Sequence, residues 1–262
     1  MEHNGILEKD IDKAAELILS AKYVVALTGA GMSVESGIRP FRGPDGLWTE
    51  RGEPPMDGFR RFMSDPKSGW EKLLTGELYP TELVEAFFNA KPNPGHHALA
   101  ELESLGILKY LITQNVDNLH RDAGNKNVAE IHGNIRKLRC IDCNTRFPIE
   151  EISLAELPPR CPKCKGMVKT DGVMFGEPIP QDVLRICQQE TDKCDCMLTA
   201  GTTALIYPAA GFPQEVSHKG GMLIEVDPYV TALTPMCTVS LRGKGGDVLP
   251  VLVEHIKVRM NK

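Results

Sequence analysis

Residues 23–31 decide the fold, and they read Tyr23-Val24-Val25-Ala26-Leu27-Thr28-Gly29-Ala30-Gly31. Residues 23–28 form a short apolar run rich in β-branched side chains, which is typical of a parallel strand buried on both faces. Upstream, residues 8–21 place apolar side chains at the spacing of an amphipathic helix. The order of helix, strand and glycine-rich turn predicts the start of an α/β fold.

The same alternation continues along the rest of the chain. Further strand-length apolar runs end at small or polar residues, at 110–113, 196–200, 221–226 and 238–241. Helical patterns lie among them, at 95–105, 181–191, 208–219 and 246–259. This alternation predicts a Rossmann-like α/β fold, a mostly parallel sheet covered by helices on both faces. Ligands bind such sheets at the carboxyl ends of the strands.

The composition is that of an ordinary globular protein and limits the possible functions. The 262 residues include 30 Lys plus Arg against 35 Asp plus Glu, a net charge of −5. A negative chain attracts no polyanion through its overall field, so we expect no direct nucleic-acid partner. No apolar run reaches the ~18 residues of a membrane span, and residues 1–13 lack the apolar core of a signal peptide. We therefore expect a cytoplasmic protein without a membrane partner.

Four of the eight cysteines form two C-x-x-C pairs. Cys140 and Cys143 are separated by 17 residues from Cys161 and Cys164, a spacing typical of a zinc ribbon. Four thiolates leave no open coordination position, so the predicted single Zn²⁺ is structural. Free or disulfide-linked cysteines are the alternative, although a reducing compartment favours metal. The other cysteines are predicted to be small buried hydrophobes: Cys187, Cys194, Cys196 and Cys237.

The glycine-rich segment fits a dinucleotide-binding fingerprint only in part. The pattern G-x-G-x-x-G begins with Gly29 and Gly31, but Val34 stands where the third glycine belongs. The glycines still allow the backbone to approach a pyrophosphate closely; a strand-to-helix turn without a ligand is the alternative. Downstream, residues 41–48 (Phe-Arg-Gly-Pro-Asp-Gly-Leu-Trp) place an arginine beside aromatic side chains. That combination suits phosphate contact and the shielding of a reactive centre from water.

Together these motifs resemble the sirtuin family, the NAD-dependent protein-lysine deacylases. The family pattern GAGxSxxSGIPxFRGxxGxW stands here as residues 29–48. Further family motifs follow in order: 113–120 (TQNVDNLH), 131–133 (IHG), the four cysteines, 173–177 (VMFGE), 201–203 (GTT), 207–211 (YPAAG) and 242–243 (RG). The resemblance covers roughly residues 10–258.

The resemblance implies a single sirtuin-type catalytic domain over residues 1–262. Its parts would be a Rossmann-like core (8–48, 95–137 and 171–260), a helical and loop insert (49–94) and a zinc-ribbon module (138–170). NAD, as co-substrate, and an acetyl-lysine protein or peptide would meet in the cleft. The implied reaction breaks the nicotinamide–ribose bond, passes through an alkylimidate and leaves the acetyl group on ADP-ribose.

The resemblance also implies roles for individual residues. His132 matches the general base that takes a proton from a ribose hydroxyl, and a histidine titrates near working pH. Asn115 would hold the ribose and an ordered water. Asp117 would bind the nicotinamide carboxamide, in a pocket lined by Ser36 and Ile38. Further NAD contacts are implied at Gly29, Ala30, Gly31, Ser33, Phe41, Arg42, Trp48, Gln114, Val116, Gly201, Thr202, Thr203, Glu225, Val226, Asp227 and Gly245.

Peptide binding is implied along residues 173–177, where the substrate would add a strand by main-chain hydrogen bonds. The implied contacts are Val173, Phe175, Gly176 and Glu177. A solvated loop charge is the alternative for Glu177. Other histidines are predicted to cap or pack rather than to catalyse: His96, His97 and His120.

The sequence departs from the family pattern at a few positions. Pro40 follows Arg39 where the family has Ile-Pro-x-Phe, and proline restricts the residue before it, so we expect a differently set loop beside the nicotinamide pocket. Asp227 and Gly245 stand where many relatives have Asn and Ala. Relatives that remove acidic acyl groups carry a Tyr-x-x-Arg pair, whereas Tyr79 here precedes Glu82. We therefore expect a lysine that carries acetyl or another uncharged acyl group as substrate, rather than succinyl-lysine.

Two alternative functions remain open from the sequence. One is a protein mono-ADP-ribosyltransferase, which would share the activation of NAD but use another acceptor. The other is a non-catalytic module that senses NAD or ADP-ribose, and such a module needs no base at His132.

Overall fold

The computed structural model describes residues 2–3, 6–43, 46–79 and 81–261. Pro44 and Asp45 of the aromatic loop, and Pro80 beside Tyr79, lie outside these residues. The strands are β1 Glu2–His3, β2 Ile6–Leu7, β3 Val24–Thr28, β4 Leu108–Thr113, β5 Val128–Glu130, β6 Lys137–Cys140, β7 Arg146–Pro148, β8 Val168–Thr170, β9 Cys196–Ala200, β10 Met222–Val226 and β11 Val239–Leu241.

Helices cover the sheet and build most of the insert. The α-helices are α1 Glu8–Ser20, α2 Leu47–Arg51, α3 Gly58–Ser64, α4 Pro66–Leu74, α5 Thr81–Asn89, α6 Pro94–Ser104, α7 Leu119–Asp122, α8 Gln181–Lys193, α9 Gly211–His218 and α10 Gly245–Met260. Short 3-10 helices span Ala30–Ser36, Ile149–Glu151 and Thr234–Met236. Among the described helices, none is long and apolar enough to cross a membrane.

The main sheet is parallel throughout and has the order β11-β10-β9-β3-β4-β5 within the described residues. Strand β3 lies between β4 and β9, so the chain reverses direction across the sheet beside the end of β3. In open α/β sheets that is the position where ligands bind. The predicted Rossmann-like parallel sheet is therefore confirmed.

Strand β3 is buried on both faces, as its apolar run predicts. Val24 and Ala26 face one core layer, formed with α1, α6 and α10. Val25 and Leu27 face the other, formed with α8 and α9. Each such buried valine or leucine contributes roughly 1.5–3 kcal/mol relative to an exposed one.

The predicted helices and strands are present with small shifts at their ends. The helix expected at 208–219 begins at Gly211, and strand β5 was not predicted because three residues give too short an apolar run. A larger difference follows β3, where the chain enters a seven-residue 3-10 helix that ends at Gly37 in the left-handed region, with φ 89°.

Residues 137–170 form a second, small antiparallel sheet with the order β7-β6-β8. Leu138 and Phe147 form a buried pair on this sheet. Two aromatic residues of the insert, Phe62 on α3 and Trp70 on α4, pack into the same cluster. The indole nitrogen of Trp70 donates to the carbonyl oxygen of Val168 at 3.0 Å, so the insert and the small sheet share one apolar core.

Candidate active site

The carboxyl ends of β3 and β9 meet in a contact that only glycine permits. The amide of Gly31 donates to the carbonyl oxygen of Gly201 at 2.9 Å. A Cβ on Gly31 would lie 2.7 Å from the Gly201 Cα, and one on Gly201 would lie 2.3 Å from the Met32 nitrogen. Gly201 also has φ +59°, in the left-handed region. These predicted NAD-binding glycines are therefore also required by the packing of one loop on the other.

The 3-10 helix explains why Val34 is tolerated. In the usual fingerprint the third glycine lets a long helix pack closely on the first strand. Here Val34 lies in the short 3-10 helix and is 39% exposed, so a side chain is accommodated at this position. Ile38, predicted to line the nicotinamide pocket, is buried at the end of this segment, and its amide donates to the carbonyl oxygen of Ser33 at 3.2 Å.

Three of the predicted site residues form one buried hydrogen-bond network. The Ser33 hydroxyl donates to the Asp117 carboxylate at 2.6 Å, and the Asn115 side-chain amide donates to the Ser33 oxygen at 3.0 Å. Asn115 also donates to the carbonyl oxygen of Gly29 at 3.0 Å, and the other Asp117 oxygen accepts from the Leu119 amide at 2.9 Å. Burial raises the pKa of Asp117, although its hydrogen bonds from Ser33 and Leu119 oppose that effect.

Each Asp117 oxygen retains a lone pair beyond these contacts. The carboxylate is therefore able to accept a further hydrogen bond, as recognition of a carboxamide N–H requires. Ser36, predicted to lie in the same pocket, accepts from the side-chain amide of Asn93 at 3.0 Å.

Polar side chains at the ends of β3 and β4 support Asn115. The main-chain amide of Asn115 donates to the Thr113 hydroxyl at 3.1 Å, and the Thr28 hydroxyl donates to the same Thr113 oxygen at 2.9 Å. The Nε2 atom of His120 lies 2.8 Å from the Thr28 hydroxyl. His96 packs against His120, with ring centroids 4.7 Å apart, and its Nδ1 closes a capping box at the start of α6. The predicted packing and capping roles of His96 and His120 are confirmed.

His132 lies beside the same strand ends and is held through Gln114. Its Nδ1 atom lies 2.9 Å from the carbonyl oxygen of Gln114, while the Gln114 side chain donates to the Thr202 hydroxyl at 2.8 Å. Burial lowers the pKa of the His132 imidazole below its ordinary value of 6.5, against the opposing effect of the Gln114 carbonyl. Val116, the next predicted contact, accepts from the Ile135 amide through its carbonyl oxygen at 2.9 Å.

The predicted aromatic loop lies against the segment expected to bind peptide. Phe41 and Trp48 have ring centroids 4.7 Å apart, and Trp48 lies 5.4 Å from the ring of Phe175. The Arg42 guanidinium stacks 4.6 Å from the Trp48 ring and pairs with Glu53 at 2.8 Å. The structure thus brings the loop and residues 173–177 into direct contact.

The segment 173–177 is bound to the histidine loop and to the insert. The amide of Val173 donates to the carbonyl oxygen of His132 at 2.8 Å. The carbonyl oxygen of Phe175 accepts from the Phe59 amide at 2.9 Å. Gly176 lies so close to Met56 that a Cβ would be 2.7 Å from the Met56 oxygen. The Glu177 side chain is 3% exposed and pairs with Arg139, so it is not the solvated loop charge that was the alternative.

Three predicted NAD contacts, Glu225, Val226 and Asp227, lie at the end of β10, and their side chains already have partners within the protein. The Glu225 carboxylate pairs with Arg242 at 2.7 Å and accepts from Thr234 at 2.8 Å. The Val226 side chain belongs to the core, so it offers only its backbone. Asp227 accepts from the Tyr229 amide at 2.9 Å, and burial raises the pKa of its carboxyl.

The last predicted contacts differ in their surroundings. Gly245 begins α10, where a Cβ would meet the Met32 sulfur at 2.7 Å. Ala30 is half-buried, while Thr203 is exposed at the loop that follows β9.

The four cysteines of the C-x-x-C pairs converge on one point. The Sγ atoms of Cys140 and Cys164 are 3.5 Å apart, those of Cys143 and Cys161 are 3.7 Å apart, and all four lie within 4.8 Å of one another. Zn–S bonds of ~2.3 Å in a tetrahedron place sulfurs about 3.8 Å apart. The donor set and spacing fit one Zn²⁺. Each second cysteine precedes a residue with positive φ, Asn144 at 59° and Lys165 at 65°, which turns each C-x-x-C loop back on itself.

Sequence reasoning missed two side chains that hold the glycine-rich segment. Asn93 donates to the Met32 carbonyl oxygen at 2.8 Å while its own oxygen caps α6. The Glu35 carboxylate accepts from the Gly246 amide at 2.8 Å, at the first turn of α10. An Asn-Pro pair is a known helix-start signal and identifies Asn93 as a cap. For Glu35, however, no comparable local signal exists.

Known proteins share this architecture and these motifs. Residues 29–208 match the model of the Sir2 family. The chain is 44% identical to NAD-dependent protein deacylase 1 of Archaeoglobus fulgidus, over 94% of this chain and 98% of the relative. It is 41% identical to an NAD-dependent protein deacetylase of Thermodesulfovibrio yellowstonii, over 94% and 95%. A solved complex of Sir2 with a p53 peptide and NAD⁺ superposes with a TM-score of 0.75 at 29% identity, covering 94% of this chain and 98% of that one.

Proposed function

This chain belongs to the Sir2 family, and from that premise we propose that it is an NAD-dependent protein-lysine deacetylase. It transfers the acetyl group of acetyl-lysine to ADP-ribose and releases nicotinamide. The observation that carries the proposal is one main-chain hydrogen bond: the Val173 amide donates to the carbonyl oxygen of His132. This bond fixes the positions of the proposed base and the proposed peptide segment relative to each other.

His132 acts as the general base. A carbonyl oxygen only accepts hydrogen bonds, so the contact with Gln114 places the imidazole proton on Nδ1 and leaves the Nε2 lone pair free. The lowered pKa of this imidazole keeps it neutral at working pH. A neutral imidazole with a free Nε2 is the form that takes a proton from a ribose hydroxyl.

The network of Ser33, Asn115 and Asp117 binds the nicotinamide end of NAD. Bound NAD supplies the scissile nicotinamide–ribose bond. Asp117 accepts from the carboxamide, and Asn115 orients the ribose and a water. Because Ser33 ties both side chains together at 2.6 and 3.0 Å, the donors and acceptors are fixed before the substrate arrives.

The aromatic loop shields the reacting atoms. Phe41 packs on Trp48 and Trp48 packs on Phe175, so the three rings form one apolar cluster that joins the aromatic loop to the peptide segment. Exclusion of water protects a reactive centre from hydrolysis. Arg42, stacked on Trp48, supplies a cation for phosphate oxygens.

An acetyl-lysine protein or peptide is the partner, and acetyl is preferred to succinyl. The preference rests on Glu82, which stands three residues after Tyr79 where relatives active on acidic acyl groups carry arginine. A glutamate cannot supply the cation that pairs with an acidic acyl chain. Residues 173–177 pair with the peptide through main-chain groups, as a strand added to an edge.

We propose a structural role for the zinc ion and a cytoplasmic location for the protein. Four sulfurs around one point leave no position for a reacting ligand. No disulfide links the eight cysteines, and in a reducing compartment paired C-x-x-C thiols bind metal.

The experiment that tests this function is a nicotinamide-release assay with protein, NAD and a series of acyl-lysine peptides. We expect release that depends on the acetyl peptide, with formation of acetyl-ADP-ribose and slower turnover of the succinyl peptide. Transfer of label from NAD to protein would support ADP-ribosyl transfer instead. If neither product forms while NAD still binds, the chain is a sensing module and the enzymatic proposal is wrong.

A further inference from the structure

Four buried charged side chains lie between the small sheet and the peptide segment. They are Arg139 on β6, Lys169 on β8, Asp171 just after β8, and Glu177. Their exposed fractions are 6%, 0%, 2% and 3%, so all four are removed from water. Two of them are cations and two are anions, and the partly exposed Arg146 of β7 also pairs with Asp171, at 2.9 Å. The reaction as proposed uses none of these four charged groups.

Lys169 is at the centre of the cluster. Its ammonium lies 3.1 Å from a Glu177 carboxylate oxygen and donates to the carbonyl oxygens of Thr170 and Gly172, each at 2.7 Å. Three acceptors satisfy the three N–H groups of a lysine. The ammonium therefore fixes the turn through which the chain passes from the small sheet into residues 173–177.

Glu177 closes the other end of the same turn. Its carboxylate pairs with both Arg139 and Lys169 and also accepts from the Met174 amide at 2.9 Å. The Glu177 amide donates back to the Met174 carbonyl oxygen at 3.0 Å. The conformation of residues 174–177 is thus set by a carboxylate that two buried cations hold in place.

Asp171 links the cluster to the histidine loop. Its carboxylate accepts from the Asn134 amide at 3.1 Å and pairs with Arg139 at 3.3 Å. Gly133 packs so tightly on Asp171 that a Cβ would lie 2.2 Å from the Asp171 carbonyl oxygen. The same buried charged residues therefore hold both the loop that carries His132 and the peptide segment in place.

We propose that Lys169 and Glu177 are positioning residues for the acyl-lysine peptide, and that through them the zinc-bearing sheet sets the register of the peptide against His132. This inference rests on the proposed deacetylase function. Loss of Lys169 leaves Glu177 with Arg139 alone and removes the donor to the carbonyl oxygens of Thr170 and Gly172, so the local backbone moves. Most of the predicted NAD contacts lie at the ends of β3, β4, β9 and β10, whereas Trp48 of the aromatic loop meets Phe175 of this turn. We therefore expect the larger effect on the peptide.

The test compares steady-state kinetics of Lys169→Met with wild type, varying peptide and NAD separately. Methionine keeps the buried stem and removes the charge and its donors. We expect the peptide KM to rise about tenfold while the NAD KM stays within about twofold. Glu177→Gln keeps an oxygen for the Met174 amide and should give a smaller rise of the same kind. The matched control is Asp182→Asn, which removes the half-exposed outer partner of Arg146 and should leave both KM values unchanged.

Amide hydrogen exchange supplies a second measurement. In Lys169→Met the amides of Val173 and Met174 should exchange faster, with the zinc content unchanged. Equal rises of both KM values in the two variants, or unchanged peptide KM in both, would overturn the inference. Wild-type protein that shows no peptide-dependent turnover would instead count against the proposed function. Should Lys169→Met fail to fold, Glu177→Gln decides by the same criteria.

Discussion

The Nδ1 atom of His132 lies 2.9 Å from the main-chain oxygen of Gln114. That oxygen belongs to a peptide group between β4 and Asn115, and peptide oxygens carry no proton. The contact therefore selects one neutral tautomer of His132 and directs its basic nitrogen away from the sheet. Because the orienting group is backbone, no side-chain change can remove it without moving the strand end itself.

Replacing His132 with Ala should remove the base without disturbing the NAD site. We expect peptide-dependent turnover to fall by about 10²–10⁴-fold, the usual value of a general base. NAD affinity should stay close to that of wild type, because Ser33, Asn115 and Asp117 bind one another rather than His132. Turnover is measured by nicotinamide release and affinity by calorimetry. His97→Ala, at an exposed position on α6, is the control and should be fully active. A His132→Ala enzyme as fast as wild type would remove the base assignment.

The pH dependence of kcat should show a base whose pKa lies below the ordinary histidine value. Burial lowers the pKa of His132 below 6.5, so the imidazole stays neutral as the pH falls past 6.5. The enzyme should lose activity only when the pH passes through the lowered pKa. We expect the midpoint of the acidic limb to lie below pH 6.5. Saturating NAD separates this limb from the titration of Asp117, the proposed contact of the nicotinamide carboxamide. A midpoint at or above 6.5 would show that the buried environment does not govern the base.

Loss of the metal should unfold the small sheet and abolish peptide-dependent turnover. Cys143→Ala removes one sulfur of the four-sulfur cluster. We expect metal content to drop from one zinc per chain and turnover to fall at least about tenfold, because structural zinc supplies the folding free energy of such modules. Cys187→Ala is the matched control. Cys187 is buried in the helix-covered core, so this variant should retain one zinc per chain. Full activity in verified metal-free protein would contradict the structural role.

The parts of the site that the sequence predicts are those whose signals are local. The run at residues 23–31 identifies the central strand, and C-x-x-C spacing identifies the four sulfurs, because neighbours in the chain carry that information. Contacts between distant segments leave no such signal. The approach of Gly31 to Gly201 is one case, since the same glycines are equally consistent with a ligand-binding turn.

The buried cluster of Lys169 and Glu177 is another case. A lysine in strand β8 gives no indication that its side chain is fully buried, and a glutamate after a glycine resembles a solvated loop charge. Only the packing of the small sheet on the turn makes them partners. The 3-10 helix after β3 was likewise unpredictable, because it depends on Gly37 in the left-handed region and on Asn93 from another helix.

The stability of the fold should fall between pH 6.5 and pH 4, partly because of His96. Burial lowers the pKa of His96 from 6.5 to about 4. In this window the unfolded chain binds a proton that the folded chain excludes, so the free energy of unfolding decreases as pH falls, by at most about 3 kcal/mol for this residue. His120, also lowered by burial, acts in the same direction. Above pH 6.5 both states hold neutral imidazole, and neither residue contributes a slope.

Urea unfolding of wild type and His96→Asn at pH 7 and pH 5 measures this effect. Asparagine keeps an acceptor for the Asn93 amide but cannot titrate, so the variant should lose less stability than wild type between the two pH values. Its absolute stability should be lower at pH 7, because a smaller side chain leaves a cavity beside His120. An identical slope in the two proteins would mean that the acid sensitivity arises elsewhere in the fold.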